Sequence, residues 1–179
     1  RAHYPAMKRW MAHMEEATMK DYIMTKDQYG DWCMPPESQE LIHSKDPARK
    51  TDGAILSTTV YYDLLNKMIG FARICGQDAD ISGYESLAAK IKAAYNAKFF
   101  NKETAEYGNN TVTANILSLR LGLVPEGYEG KVFSNIVKKT EEDFNGHVST
   151  GVLGIQHLMR GLTEYGRVDM AYKILTNET

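Results

Sequence analysis

The sequence predicts an all-α fold built from antiparallel helical hairpins. Apolar residues recur at helical spacing in seven stretches, and no segment shows convincing strand alternation. Several connections between these stretches are short, which makes sequential helices antiparallel neighbours. Each stretch has one broad apolar face and no fixed sequence period is evident, so the pattern favours an irregular helical toroid, or a sector of one, over a regular repeat array.

The first three stretches are defined by their apolar residues and by their ends. The first has an apolar face of methionine and tryptophan over residues 7–14. The second covers residues 61–75, and Gly76 is predicted to stop it. The third opens on a capping-box pattern at Ser82 and continues to Phe99.

Four further stretches follow in the second half of the chain. The fourth covers residues 112–121, and the fifth is centred on residues 133–137. The sixth is predicted to begin at a cap formed by Ser149 or Thr150, and the seventh covers residues 168–175. The pattern therefore predicts a series of helical hairpins with one helix left over.

A long polar segment over residues 21–57 interrupts the helical pattern and contains the sequence Tyr-Gly-Asp-Trp-Cys-Met-Pro-Pro-Glu at 29–37. Structureless connections of that length are usually functional or disordered. Trp32 would offer a flat aromatic face on which a pyranose packs, and Asp31 beside it would accept hydrogen bonds from sugar hydroxyls. The alternative is a loop tryptophan tucked into the core, with Asp31 capping the turn.

Some carboxylates and histidines of the sequence are candidates for a chemical role. Hydrolysis of a glycosidic bond usually needs two carboxyl groups. Asp31 and Glu37 share the polar segment and are the only pair with a local case for this role, whereas Glu15-Glu16 and Glu141-Glu142-Asp143 lie on polar helical faces. His147 lies at a helix entrance, where backbone N–H groups favour polar ligands; a structural loop histidine is the alternative. The five histidines show no metal-ligand spacing, and no cofactor motif is present, so we expect neither metal nor cofactor.

Composition and charge exclude two classes of partner. The net charge is −2 and no basic stripe is present, which argues against a nucleic-acid surface. No apolar run reaches the length of a membrane span. The two cysteines do not form a disulfide framework.

Four segments, taken in order, resemble the catalytic domain of the α-L-rhamnosidases, a family of inverting glycoside hydrolases. Residues 29–32 resemble the Gly-Asp-Trp loop of the family, and residues 84–99 resemble the helix that follows it. Residues 113–125 resemble a helix ending in Gly-Leu-Val-Pro, and residues 147–154 resemble a His-x-x-Thr-Gly pattern. The resemblance runs over nearly all of the chain.

This resemblance implies an (α/α)6 barrel and a hydrolase that releases terminal L-rhamnose from glycosides or polysaccharides. Trp32 would line the rhamnose pocket with Asp31 beside it, and His147 would be a further substrate-binding residue. The general-acid segment and the Trp-Glu general-base segment of the family do not occur in residues 1–179. We therefore expect a single, incomplete domain from the middle of the barrel, with both catalytic carboxylates outside the chain and negligible activity of its own.

Two alternatives stay open at the level of the sequence. The chain could be a non-catalytic helical scaffold that binds protein through a concave face. It could also be a helical-barrel hydrolase acting on another sugar, because an indole and a carboxylate suit any pyranose. An incomplete ring would leave apolar faces exposed, so we expect self-association. The compartment is open, with the periplasm or secretion favoured over the cytoplasm.

Overall fold

The computed structural model describes residues 1–26, 30–33 and 50–177. The helices in these ranges are α1 (Tyr4–Thr18), α2 (Gly53–Cys75), α3 (Asp78–Phe99), α4 (Val112–Arg120), α5 (Glu129–Glu142), α6 (Val152–Glu164) and α7 (Val168–Thr176). Two short antiparallel hairpins are β1 (Met19–Lys20) with β2 (Ile23–Met24) and β3 (Phe100–Asn101) with β4 (Glu106–Tyr107). A helix that could span a membrane is not found within these ranges.

The prediction of an all-α fold is confirmed, although two helices begin earlier than predicted. The second helix starts at Gly53, where the side chain of Asp52 accepts a hydrogen bond from the N–H of Ala54 at 2.7 Å. The third starts at Asp78, so the predicted capping box at Ser82 is wrong and lies inside the helix. Asp78 and Asp80 in the first turn stabilise that end because they complement the helix dipole.

Helix ends and small strands show what the apolar pattern missed. Gly76 ends α2 as predicted, in a left-handed conformation with φ of 70°. The expectation that strands are absent is wrong for the two hairpins. Each of their strands has only two residues, which is too short to show an alternating pattern.

The helices form adjacent hairpins. Helix α2 packs on α3, α4 packs on α5, and α6 packs on α7, while α4 also contacts both α2 and α6. The residues of α4 from Val112 to Leu119 are all buried, so this helix lies in the middle of the array. The hydroxyl oxygens of Thr51 and Thr111 are 2.7 Å apart, which places the start of α2 beside the start of α4.

Two apolar clusters hold the array together. One joins α1, α2 and α3, and the other joins α4 to α7 with the ends of α2 and α3. The polar side chains buried in α4 are satisfied: the Asn115 side-chain oxygen accepts from the N–H of Tyr107 at 2.9 Å, and the hydroxyls of Ser118 and Tyr95 lie 2.7 Å apart. These buried hydrogen bonds fix α4 against its neighbours, because leaving any of them unmade would be costly.

Candidate functional site

The carboxylate of Asp31 is the centre of the candidate site. Its Oδ2 atom accepts a hydrogen bond from the N–H of Gly151 at 2.8 Å and another from the hydroxyl of Thr113. Its Oδ1 atom accepts from the N–H of Leu153 at 3.0 Å and from the N–H of Gly154 at 3.3 Å. One side chain therefore joins the loop to the first turns of α4 and α6.

This arrangement corrects the prediction of a cap at Ser149 or Thr150. The N-cap residue of α6 is Gly151, which has no side chain to cap the helix, and the cap is supplied by Asp31 from 120 positions upstream. The Ser149 hydroxyl instead lies 3.0 Å from that of Thr140. A carboxylate at a helix N-terminus gains both hydrogen bonds and a favourable interaction with the helix dipole.

The main chain of the loop also approaches α6 closely. The carbonyl oxygen of Trp32 accepts a hydrogen bond from the N–H of Val152 at 2.8 Å. At Gly151, a Cβ atom would lie 2.7 Å from the carbonyl oxygen of Asp31 and closer still to that of Trp32. Glycine is required at this position because any side chain would push the loop away from the helix.

Trp32 is exposed at the end of the array where α4 and α6 begin. Half of its surface, 50%, is open to solvent, so the alternative of an indole tucked into the core is contradicted. Gly30 and Cys33, on either side of the Asp31–Trp32 pair, both have a positive φ, of 69° and 59°. This conformation is unusual for a cysteine and shows that residues 30–33 are held in a defined, strained shape.

His147 lies in the connection between α5 and α6 and is partly buried. Its N–H donates to the carbonyl oxygen of Phe144 at 2.8 Å, and its Nε2 atom lies 3.3 Å from the side-chain nitrogen of Asn177. These contacts place His147 near the end of α7, upstream of the segment that meets Asp31. Its role as a substrate-binding residue stays a prediction.

The remaining candidate residues of the sequence have no described contact with Asp31, whereas two residues without a predicted role do contact it. Glu37 falls outside the described residues, so its pairing with Asp31 is not described by the structure. Thr113 and Gly151 were missed by the sequence reasoning, although both are essential to the anchoring of Asp31. Both lie in segments that carry the family resemblance, but no local pattern pairs them with Asp31, because the three positions are distant along the chain. Among residues 1–26, 30–33 and 50–177, no cluster of three or more metal-ligating side chains is found.

The described residues thus form an array of helical hairpins with an exposed indole beside the starts of α4 and α6. Residues 1–179 match the family model described as the bacterial alpha-L-rhamnosidase 6 hairpin glycosidase domain. The chain belongs to this family. The predicted fold class, antiparallel helical hairpins that form part of an (α/α)6 barrel, is confirmed.

Named relatives and solved structures agree with the family assignment. Two proteins of Formosa agariphila named alpha-L-rhamnosidase are 29% and 30% identical over 177 and 182 residues, covering 98% and 97% of this chain but 18% of each relative. The structure of an alpha-L-rhamnosidase from Dictyoglumus thermophilum matches with a TM-score of 0.88 and 30% identity, over 99% of this chain and 19% of that one. The chain thus spans about a fifth of the length of these relatives.

A third comparison extends the similarity of the fold. A Streptomyces avermitilis alpha-L-rhamnosidase, solved in complex with L-rhamnose, matches with a TM-score of 0.84 and 23% identity. The match covers 98% of this chain and 16% of the other. At this level of identity the likeness is one of fold.

Proposed function

We propose that this chain forms one wall of the sugar pocket of a glycoside hydrolase that releases terminal L-rhamnose from glycosides or polysaccharides. The observation that carries the proposal is the exposed indole of Trp32 on a loop anchored by Asp31 at the starts of α4 and α6. Membership of the rhamnosidase family supports rhamnose as the sugar, as do the relatives named alpha-L-rhamnosidase.

The chemistry of Trp32 suits this sugar. L-Rhamnose carries a methyl group in place of a hydroxymethyl group, so one side of its ring is unusually apolar. Packing that side on an indole removes apolar surface from water, which contributes roughly 25 cal/mol per Å². The hydrogen bonds of Asp31 and of the Trp32 carbonyl hold residues 31 and 32 in place before the sugar arrives, which reduces the entropic cost of binding.

Asp31 supports the site in a way that its residue type alone does not indicate. A carboxylate has about four lone-pair sites, and four donors from this chain already occupy those of Asp31. This favours a positioning role, in which Asp31 holds Trp32 in place. A direct hydrogen bond from Asp31 to a sugar hydroxyl stays a prediction, as does a polar contact from His147.

We propose an inverting mechanism in which both catalytic carboxyl groups come from parts of the domain outside residues 1–179. In such a mechanism a carboxylic acid protonates the leaving oxygen while a carboxylate activates a water on the opposite face of the sugar, at a separation of roughly 6.5–9.5 Å. The contribution of this chain is then to bind and orient the sugar ring between those two groups.

The binding proposal is tested by tryptophan fluorescence with L-rhamnose as the probe. The chain has two tryptophans, so Trp10→Phe leaves Trp32 as the only indole. We expect a saturable change with L-rhamnose in this variant and none after the further change Trp32→Phe. D-Glucose in parallel reports whether another pyranose is preferred. A non-catalytic scaffold predicts no response to either sugar, which would contradict the proposal.

The location of the catalytic groups is tested separately by activity. We expect the 179-residue chain to hydrolyse an aryl α-L-rhamnoside no faster than buffer, because catalytic groups that act together cannot be removed without losing most of the rate. Rapid turnover by the purified chain would show that the carboxyl groups lie within it.

We also propose that the chain associates with a second copy through an exposed apolar groove of about 390 Å³ between α1 and α2. Trp10 and Phe71, which are 50% and 40% exposed, both line this groove. Light scattering is expected to show a mass that rises with concentration and falls towards the monomer in Phe71→Glu. Thr163→Glu, at an exposed position on α6, is the control. A monomer at all concentrations would contradict this.

A further inference from the structure

A cavity lies on a different part of the molecule from the Trp32 loop. It has a volume of about 470 Å³, within the range of small-molecule sites, and lies between α1 and α3. The turn between β1 and β2 contributes Tyr22 to its lining, and α2 contributes Tyr61. None of residues 30–33 lines this cavity, which we call the α1–α3 groove.

Three tyrosines give the α1–α3 groove an aromatic character. Tyr22 is 42% exposed, whereas Tyr61 is buried and donates its hydroxyl to the carbonyl oxygen of Met11 at 3.3 Å. The hydroxyl of Tyr84 is buried and lies close to the hydroxyl of Tyr4, but it makes no hydrogen bond of normal geometry within the described residues. Buried polar groups nearly always have a partner, so a ligand hydroxyl or a water is the natural complement to Tyr84.

Tyr22 lies in the groove with its backbone in an unfavourable conformation. Lys20 pairs with Ile23, so Asp21 and Tyr22 form a two-residue hairpin turn with φ of 50° and 62°. Turns of this type strongly prefer Asn-Gly, because both central residues need a positive φ. An aromatic residue in this conformation is strained, and strain of this kind concentrates at functional sites.

The charges that line the groove balance. The ammonium of Lys8 pairs with Asp80 at 2.5 Å, and the hydroxyl of the buried Tyr4 donates to the same carboxylate at 2.9 Å. The ammonium of Lys90 lies 5.6 Å from the centroid of the Tyr22 ring, and Glu15 supplies the other acid. Two cations and two anions do not select a ligand of either sign, although together they offer several hydrogen-bond donors and acceptors.

We propose that the α1–α3 groove is a second binding site, for a neutral saccharide unit that stacks on Tyr22 and hydrogen-bonds to the groove walls. Aromatic faces combined with balanced polar groups suit a neutral, polyhydroxylated ring better than a peptide or an anion. That this site holds another unit of the glycan substrate rests on the proposed function. Binding of a free sugar by the groove does not.

The test is an NMR titration of the ¹⁵N-labelled 179-residue chain with D-galactose, cellobiose and L-rhamnose, with D-glucuronate as the anionic probe. At least one neutral sugar is expected to shift the amide signals of Asp21, Tyr22 and Gly83 with a dissociation constant on the order of millimolar. No shift with any neutral sugar, or a stronger response to D-glucuronate, would overturn the proposal.

Two variants show whether the named groups carry the binding. Tyr22→Asn removes the ring but keeps a residue that tolerates a positive φ, and it should raise the dissociation constant roughly tenfold. Tyr84→Phe removes only the hydroxyl and should raise it about threefold. Tyr172→Asn, at an exposed tyrosine of α7, is the control and should leave it unchanged. Unchanged affinity in Tyr22→Asn would refute the site.

The two sugar sites can fail independently. Trp32→Phe should leave the groove shifts in place, and Tyr22→Asn should leave the fluorescence response of Trp32 in place. Groove shifts without a Trp32 response would count against the proposed function alone. A Trp32 response without groove shifts would count against the second site alone.

Discussion

Trp32 and Tyr22 are both exposed aromatic side chains on non-helical segments, but they are held in opposite ways. The loop of Trp32 is fixed by long-range hydrogen bonds, in which groups from α4 and α6 converge on the carboxylate of Asp31. The turn of Tyr22 is fixed locally, by two paired strands that force its backbone into an unfavourable conformation. The segment of Trp32 is thus stabilised by contacts with distant helices, whereas Tyr22 adopts a conformation that is unfavourable for its residue type.

This difference has opposite consequences for stability. Weakening the anchor at Asp31 should destabilise the whole array, because the same hydrogen bonds cap α6 and join it to α4. Relaxing the turn at Tyr22 should stabilise the fold, because only local strain is lost. An aromatic side chain can therefore be presented to solvent either by interactions that stabilise the fold or at the expense of stability.

The largest effect is expected for Asp31→Ala. The change leaves several backbone N–H groups of α6 without their charged acceptor, and hydrogen bonds to charged groups contribute about 1.5–3 kcal/mol each. We expect the free energy of unfolding, measured by urea denaturation, to fall by roughly 3 kcal/mol or more. Asp143→Ala, at an exposed surface ion pair with Lys139, is the control and should cost about 1 kcal/mol or less. A loss at Asp31 no larger than at Asp143 would show that the anchor is unimportant.

A smaller loss is expected for Gly151→Ala. The added methyl group would collide with the carbonyl oxygens of Asp31 and Trp32, so the loop must move, at a cost of about 1–3 kcal/mol. Gly70→Ala, inside α2 with nothing within 4 Å of the added methyl, is the matched control and should stabilise the protein by about 0.5–1 kcal/mol. Equal effects of the two changes in thermal denaturation would contradict the close approach of the loop.

Tyr22→Gly should give a modest gain in stability. Glycine adopts a positive φ freely, which relieves about 1–2 kcal/mol of strain but adds entropy to the unfolded chain. The net gain in the free energy of unfolding should be about 0.5–1 kcal/mol. Tyr22→Ala keeps the strain and loses the ring, so it should not be stabilising. If alanine and glycine behave alike in denaturation experiments, the turn is not strained.

The smallest effect is expected for the dependence of thermal stability on pH. The hydrogen bond from Lys8, and to a smaller extent the one from Tyr4, lowers the pKa of Asp80 below its ordinary value of 3.8. The stabilisation from this carboxylate is therefore complete above the ordinary value and is lost as the pH falls through the lowered pKa. The difference in Tm between the wild type and Asp80→Asn should be constant at neutral pH and should shrink below about pH 4. A difference independent of pH would show that the groove wall does not depend on this ion pair.

Much of the fold follows from local signals. Apolar spacing identified all seven described helices, and Gly76 was correctly assigned as the stop of α2 because only glycine adopts that left-handed conformation without strain. The sequence indicates the candidate loop because Trp32 is adjacent to Asp31 and Gly30 in a polar segment. The start of α3 was misplaced because Ser82 carries a capping pattern that the longer helix overrides.

The sequence by itself determined the helices, their order and the aromatic residue that marks the candidate site, because helical periodicity and turn preferences act over a few neighbouring residues. Only the tertiary structure decided that Asp31 caps α6 and that Tyr22 meets Lys90 across the α1–α3 groove. Those contacts join residues far apart in the chain, and whether they form depends on how entire helices pack. No local pattern carries that information.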